Sequence, residues 1–182
     1  MKNIIEFIDE KLKIRKSKHE YKYFPTSYEE LQDIIFDKMK NIKGDKREIY
    51  VGDIDISKLD TLRGCFDFSD LQYINGLEYW NVSRCKKLSN MFGHCKNLVS
   101  LDLTGWDVSN TELFISMFYS CNNLETIEGI EDWDMSSAKH VNDMFGKCPK
   151  LNIDLSKWQL PDNCKRAGLK YESPNVIYKR KK

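Results

Sequence analysis

Met91-Phe92-Gly93-His94-Cys95, Met117-Phe118-Tyr119-Ser120-Cys121 and Met144-Phe145-Gly146-Lys147-Cys148 are three copies of one pentapeptide, set 26 and 27 residues apart. Eight residues before each methionine stands a serine (Ser83, Ser109, Ser136), and three before that a tryptophan (Trp80, Trp106, Trp133). Trp158 begins a further, incomplete copy. In the other direction Ile54-Asp55-Ile56-Ser57 falls in register with Trp80-Asn81-Val82-Ser83, and Cys65-Phe66 occupies the Met-Phe position. The array therefore runs from about Ile54 to Cys164. A fixed period of this length predicts a solenoid, because a unit this small can bury its apolar face only against its neighbours.

Within a unit the apolar period changes. Leu88, Met91, Phe92, Cys95, the set Phe114, Met117, Phe118, Cys121 and the set Val141, Met144, Phe145, Cys148 follow i, i+3, i+4, i+7, which predicts one stripe of a short helix. Ser109 with Glu112 reads as a capping box for that helix, and Ser83 and Ser136 as equivalent caps. Leu98, Leu101 and Leu103 then give L-x-x-L-x-L, the strand half of a leucine-rich repeat, with looser versions at Leu124, Ile127, Ile130 and at Leu151, Ile153, Leu155. The expected fold is α/β: a short leucine-rich-repeat solenoid of about four to five coils, with parallel strands on one side about 4.8 Å apart.

Solenoid ends expose apolar faces and need caps. Ser27-x-x-Glu30 is a capping box, Leu31, Ile34, Ile35, Met39 and Ile42 form one stripe, and Gly44 ends it, so 27–43 is expected to be a capping helix. A further helix is expected at about 3–14. Asn175-Val176-Ile177-Tyr178 reads as a closing strand ahead of a basic tail. The organisation is thus a helical capping region over 1–53, a repeat array over 54–164, and a closing strand with tail over 165–182.

These residues carry a resemblance. W-D-V-S-N followed by M-F-x-x-C-x-x-L, from Trp106 to Ser109 and from Met117 to Leu124, resembles the BspA-like leucine-rich repeats, also described as a mycoplasma-lipoprotein-type 26-residue surface-protein repeat. Tyr23-Phe24-Pro25-Thr26-Ser27-Tyr28-Glu29-Glu30-Leu31, followed by Asp53-Ile54-Asp55-Ile56-Ser57, is similar to the lead-in of such repeats. The resemblance implies a scaffold with many kinds of partner, and for most members an adhesive surface role.

The chain has 182 residues, 41% hydrophobic and 31% charged, which suits a packed domain and excludes a disordered one. With 29 basic and 28 acidic residues, its +1 balance gives no global electrostatic case for nucleic acid or membrane. No apolar run approaches the roughly 20 residues a membrane span needs. The opening MKNIIEFIDEKLKIRK contains no secretory core, so a cytoplasmic location is expected. The neutral total conceals an acidic stretch: residues 97–160 hold ten acidic against four basic residues, net −6.

Six cysteines at 65, 85, 95, 121, 148 and 164 are read as reduced, with those at 95, 121 and 148 buried as small hydrophobes closing the apolar stripe. There is no CxxC or HxxxH, and His19, His94 and His140 are scattered, so no metal site or cofactor is expected. His94 beside Cys95 invites a nucleophile pair, but neighbours on a helix point apart, so the expectation is that the chain is not an enzyme. Each tryptophan is read as a structural ring at fixed register.

Strand alternation around Leu101 and Leu103 places Ser100, Asp102 and Thr104 away from the core, with Glu128 and Asp154 near the same column in later coils. Those five are the candidate partner-binding residues. The expected function is a non-catalytic protein-binding module, an inhibitor or adaptor acting by stoichiometric binding to a protein with a basic surface. Such a role would suit a phage- or mobile-element-encoded blocker of a host defence enzyme. The rival readings are a nucleic-acid or ribonucleoprotein binder using Lys179, Arg180, Lys181 and Lys182, and a surface adhesin fragment.

Overall fold

A computed structural model describes residues 19–43 and 45–178. The helix expected at 3–14, the stop at Gly44 and the basic run 179–182 lie outside the described residues. Helix α1 spans Tyr28–Lys40. Ser27 caps it, its hydroxyl accepting from the Glu30 N–H at 3.2 Å, while the Glu30 carboxylate accepts from the Thr26 N–H at 2.7 Å. The box thus closes one residue further back than the motif predicts. Leu31 and Ile35 are buried, and Ile34, Met39 and Ile42 pack around them. The Lys38–Asp53 ion pair, 2.8 Å long and mostly buried, fastens this helix to the first coil.

Six short strands follow: β1 Glu48–Tyr50, β2 Tyr73–Asn75, β3 Ser100–Asp102, β4 Thr126–Glu128, β5 Ile153–Asp154 and β6 Val176–Ile177. The first four form one parallel sheet in chain order, and β5 and β6 form a second parallel pair. Registered partners such as Glu48 with Tyr73, Tyr73 with Ser100 and Ser100 with Thr126 stand about one repeat apart in sequence. A second ladder of single parallel bridges joins Thr61, Lys87, Leu113, His140 and Lys165. Mixed α/β architecture, with one α-helix and two single-turn 3-10 helices at Leu77–Tyr79 and Ile130–Asp132 among the described residues beside the stacked parallel strands, is therefore what the chain forms. The sheet reaches back to Glu48, inside the segment read as a helical cap.

The short helix expected in each repeat is not there. Its apolar stripe is carried instead by consecutive tight turns. The N–H groups of Phe114, Ser116, Phe118 and Ser120 donate to His140, Asn142, Met144 and Gly146 of the next coil, at 2.8–2.9 Å. Those of Met117, Tyr119 and Cys121 donate three residues back, to Phe114, Ser116 and Phe118. Ser116 and Ser120 have φ of 54° and 60°, and the same pair of left-handed residues recurs at Asn90 and His94 and at Asp143 and Lys147. A helix would need every one of these N–H groups for its own i−4 carbonyls. Here half of them are spent on the neighbouring coil, which is possible only because a matching coil lies alongside.

The serines expected to cap these helices have another task. Asp107 Oδ1 accepts from the Ser109 N–H at 3.0 Å and the Ser109 hydroxyl at 2.6 Å, and Asn81 with Ser83 and Asp134 with Ser136 repeat the N–H contact. These are Asx turns, in which a short carbonyl-bearing side chain closes the bend after the tryptophan. Glu112 pairs with Lys139 of the next coil at 2.7 Å.

The core is a set of columns. Phe66, Phe92, Phe118 and Phe145 stack at 5.5–5.6 Å with planes within 6° of parallel. Trp106, Trp133 and Trp158 stack at 6.1 and 6.3 Å. All six cysteines are buried free thiols. The thiols of Cys95, Cys121 and Cys148 donate to the carbonyls of Phe66, Phe92 and Phe118 in the preceding coil at 2.9–3.0 Å. At either end of this column serine replaces cysteine: Ser69 contacts Cys95 Sγ, and Ser173 bonds the Phe145 carbonyl and the Cys148 N–H.

Candidate interaction surface

Alternation along the three-residue strands sends Ile49, Ile74, Leu101 and Ile127 into the core and their neighbours outward. The outward residues form two rows across the sheet. One holds Glu48, Tyr73, Ser100 and Thr126, and the other Tyr50, Asn75, Asp102 and Glu128. Asp102 and Glu128 are direct register partners. The second row opens into a concavity of about 250 Å³ that also takes in Gly76 and Glu78.

Of the five candidates, Ser100, Asp102 and Glu128 are brought together here. Thr104 lies beyond the end of β3, exposed, its N–H donating to Asp102 Oδ1 at 2.9 Å. Asp154 is exposed on β5, in the other sheet, where its Oδ1 accepts from the Ser156 N–H. Tyr50, Asn75 and Glu78 are not among the sequence candidates and join the site through the fold. The e-B-e pattern of Glu48-Ile49-Tyr50 is the signal that could have found the first strand, but one apolar residue between two polar ones is too short to stand out from chance.

Tyr50 is set by its glycine neighbours. A Cβ on Gly52 would sit 2.7 Å from the Tyr50 Cζ, and one on Gly76, whose φ is +93°, would lie 2.4 Å from the Gly52 nitrogen. Only bare backbone lets the ring lie here. Burial pushes the Tyr50 phenol above its ordinary range, with Tyr79 and Glu78 adding to the effect, so the ring stays protonated.

Among the described residues the charges of this face have no internal counterpart. Elsewhere Asp70 pairs with Arg47, Glu112 with Lys139 and Asp132 with Lys157. Among the described residues no Lys or Arg stands within ion-pair distance of Glu78, Asp102 or Glu128. Nor do the described residues contain a cluster of three or more His, Cys, Asp or Glu able to hold a metal ion. His94, the partner weighed for Cys95, stacks on Phe68 at 4.3 Å while the Cys95 thiol points to the Phe66 carbonyl. Burial pushes that thiol up to about 11, which opposes nucleophile chemistry. No helix among the described residues is long and apolar enough to cross a membrane.

Fold and face together define a mixed α/β repeat protein whose short strands stack in parallel, with the candidate face on its four-stranded sheet. Residues 33–158 match the family described as Mycoplasma protein of unknown function, DUF285, and the chain belongs to that family. No curated protein and no solved structure matches it.

Proposed function

We propose that this chain is a short, capped leucine-rich-repeat solenoid of the BspA-like type that acts in the cytoplasm as a non-catalytic protein binder. The observation that carries the reading is the registered Asp102–Glu128 pair: carboxylates aligned across neighbouring strands, on the outward face, with no cation among the described residues within ion-pair distance. Like charges held side by side cost stability. A scaffold that keeps them is suited to a partner with a basic surface, whose approach they steer.

The test begins with capture of partners by pull-down from the native host, followed by titration of the purified partner. Occupancy predicts an effect that saturates at a fixed molar ratio and no product that accumulates with time. Changing Asp102, Glu128 and Asp154 together to Lys should weaken binding by an order of magnitude or more, while the melting curve shifts only by the loss of the Thr104 and Ser156 N–H contacts. Equal affinity in the triple variant would move recognition off the strand face, and turnover of excess target by a trace of protein would defeat the non-catalytic reading.

A further inference from the structure

The concavity on the strand face has a composition of its own. At one end the Tyr50 ring, 46% exposed, rests on Gly52 and Gly76. Asn75 follows across the sheet, and the carboxylates of Glu78, Asp102 and Glu128 complete the lining. An aromatic face beside several carboxylates that no described Lys or Arg pairs with favours a cation. An arginine uses both features, its long stem lying on the ring and its guanidinium donating paired hydrogen bonds to a carboxylate, whereas a lysine ammonium acts as a point charge. The volume of about 250 Å³ suits one long side chain.

We propose that this concavity seats an arginine side chain from a basic segment of the partner, its stem along Tyr50 and Asn75 and its guanidinium toward Asp102 and Glu128. This rests on the strand face being the binding face. Tyr50 supplies the flat apolar support, and the registered carboxylates supply the acceptors. The glycines at 52 and 76 are positioning residues, because any side chain there would displace the ring.

The probe is a fluorescein-labelled (Ser-Arg)₄ peptide at low salt, followed by anisotropy, alongside its lysine and citrulline counterparts. Expected is saturable binding of the arginine peptide, several-fold weaker binding of the lysine peptide, and none of the citrulline peptide. Tyr50→Phe should retain affinity, whereas Tyr50→Leu and Glu128→Gln should each lower it about fivefold. Asp33→Asn, which removes the same charge from α1 outside the concavity, should leave it unchanged. Wild-type affinity in Tyr50→Leu and Glu128→Gln, an equal loss in Asp33→Asn, or equal binding of the lysine peptide would overturn the proposal. With the captured partner, loss of binding in the triple Lys variant but not in Tyr50→Leu would retain the strand face and reject the arginine seat. No loss in either would reject both.

Discussion

Trp133 stacks on Trp106 with ring planes 2° apart and centroids separated by 6.1 Å, yet the two indoles differ in what their N–H groups meet. Trp106 Nε1 donates to the Leu77 carbonyl at 2.8 Å, as Trp80 does to Val51 and Trp158 to Ile130. Trp133 Nε1 is buried without an acceptor. Trp106→Phe therefore removes a satisfied donor and takes one of two hydrogen bonds from the Leu77 carbonyl, which keeps the Trp80 N–H at 2.9 Å, whereas Trp133→Phe removes an orphan. Urea melts should show Trp106→Phe costing about 1–2 kcal/mol more than Trp133→Phe. Equal losses would mean that ring area alone sets the stability of this column.

Ser116 distinguishes a chain of turns from a helix. In a helix Ser116→Gly would cost stability, but at φ 54° glycine relieves the left-handed strain. The expected outcome is a gain of about 0.5–1 kcal/mol for Ser116→Gly and a loss of about 1–2 kcal/mol for Ser116→Val, whose branched side chain suits this region least. Thermal melts that rank the two variants the other way would restore the helical reading.

The Cys85 and Cys95 thiols should make stability fall in alkali. Burial pushes Cys85 up to about 12 and Cys95 up to about 11. An unfolded chain ionises its thiols near about 8.5. Raised folded values mean that the stabilisation is complete below that pH and is lost progressively as pH climbs toward the folded values. Denaturant midpoints measured between pH 7.5 and 10 should decline, and Cys95→Ser should flatten the decline even if it lowers the starting stability. At pH 8 the native protein should resist alkylation at 95, 121 and 148 until it is unfolded, and a native Cys95–Cys121 disulfide in mass spectrometry would contradict the core assignment.

Asp53 joins the helix to the array. It receives Lys38 Nζ at 2.8 and 3.0 Å in a mostly buried setting, and its backbone carbonyl accepts from the Lys22 and Tyr23 N–H groups. Asp53→Ala leaves the lysine without its counter-charge, an effect in the range of about 3–5 kcal/mol for a fully buried pair and smaller here because water reaches both groups. Hydrogen exchange should show α1 losing protection before the strands do. Uniform loss across the sheet would show that the helix and the array unfold as one.

The 26 to 27-residue spacing of Met-Phe-x-x-Cys already implies stacking, since identical apolar sets recurring at one interval can share a core only by lying one above another. It also singles out the tryptophans, the buried thiols and the alternation that turns Ser100, Asp102 and Glu128 outward. The backbone between Leu88 and Cys95, and in each copy after it, could not be read the same way. An i, i+3, i+4, i+7 stripe is compatible with a helix and equally with paired turns, and the choice depends on where the N–H groups find carbonyls. Their partners are about 25 residues away, on a coil that exists only once the chain has folded. The same dependence governs the candidate site. Tyr50 and Asn75 come from strands too short to announce themselves, and they become neighbours of Asp102 and Glu128 only when the parallel register sets them in one row.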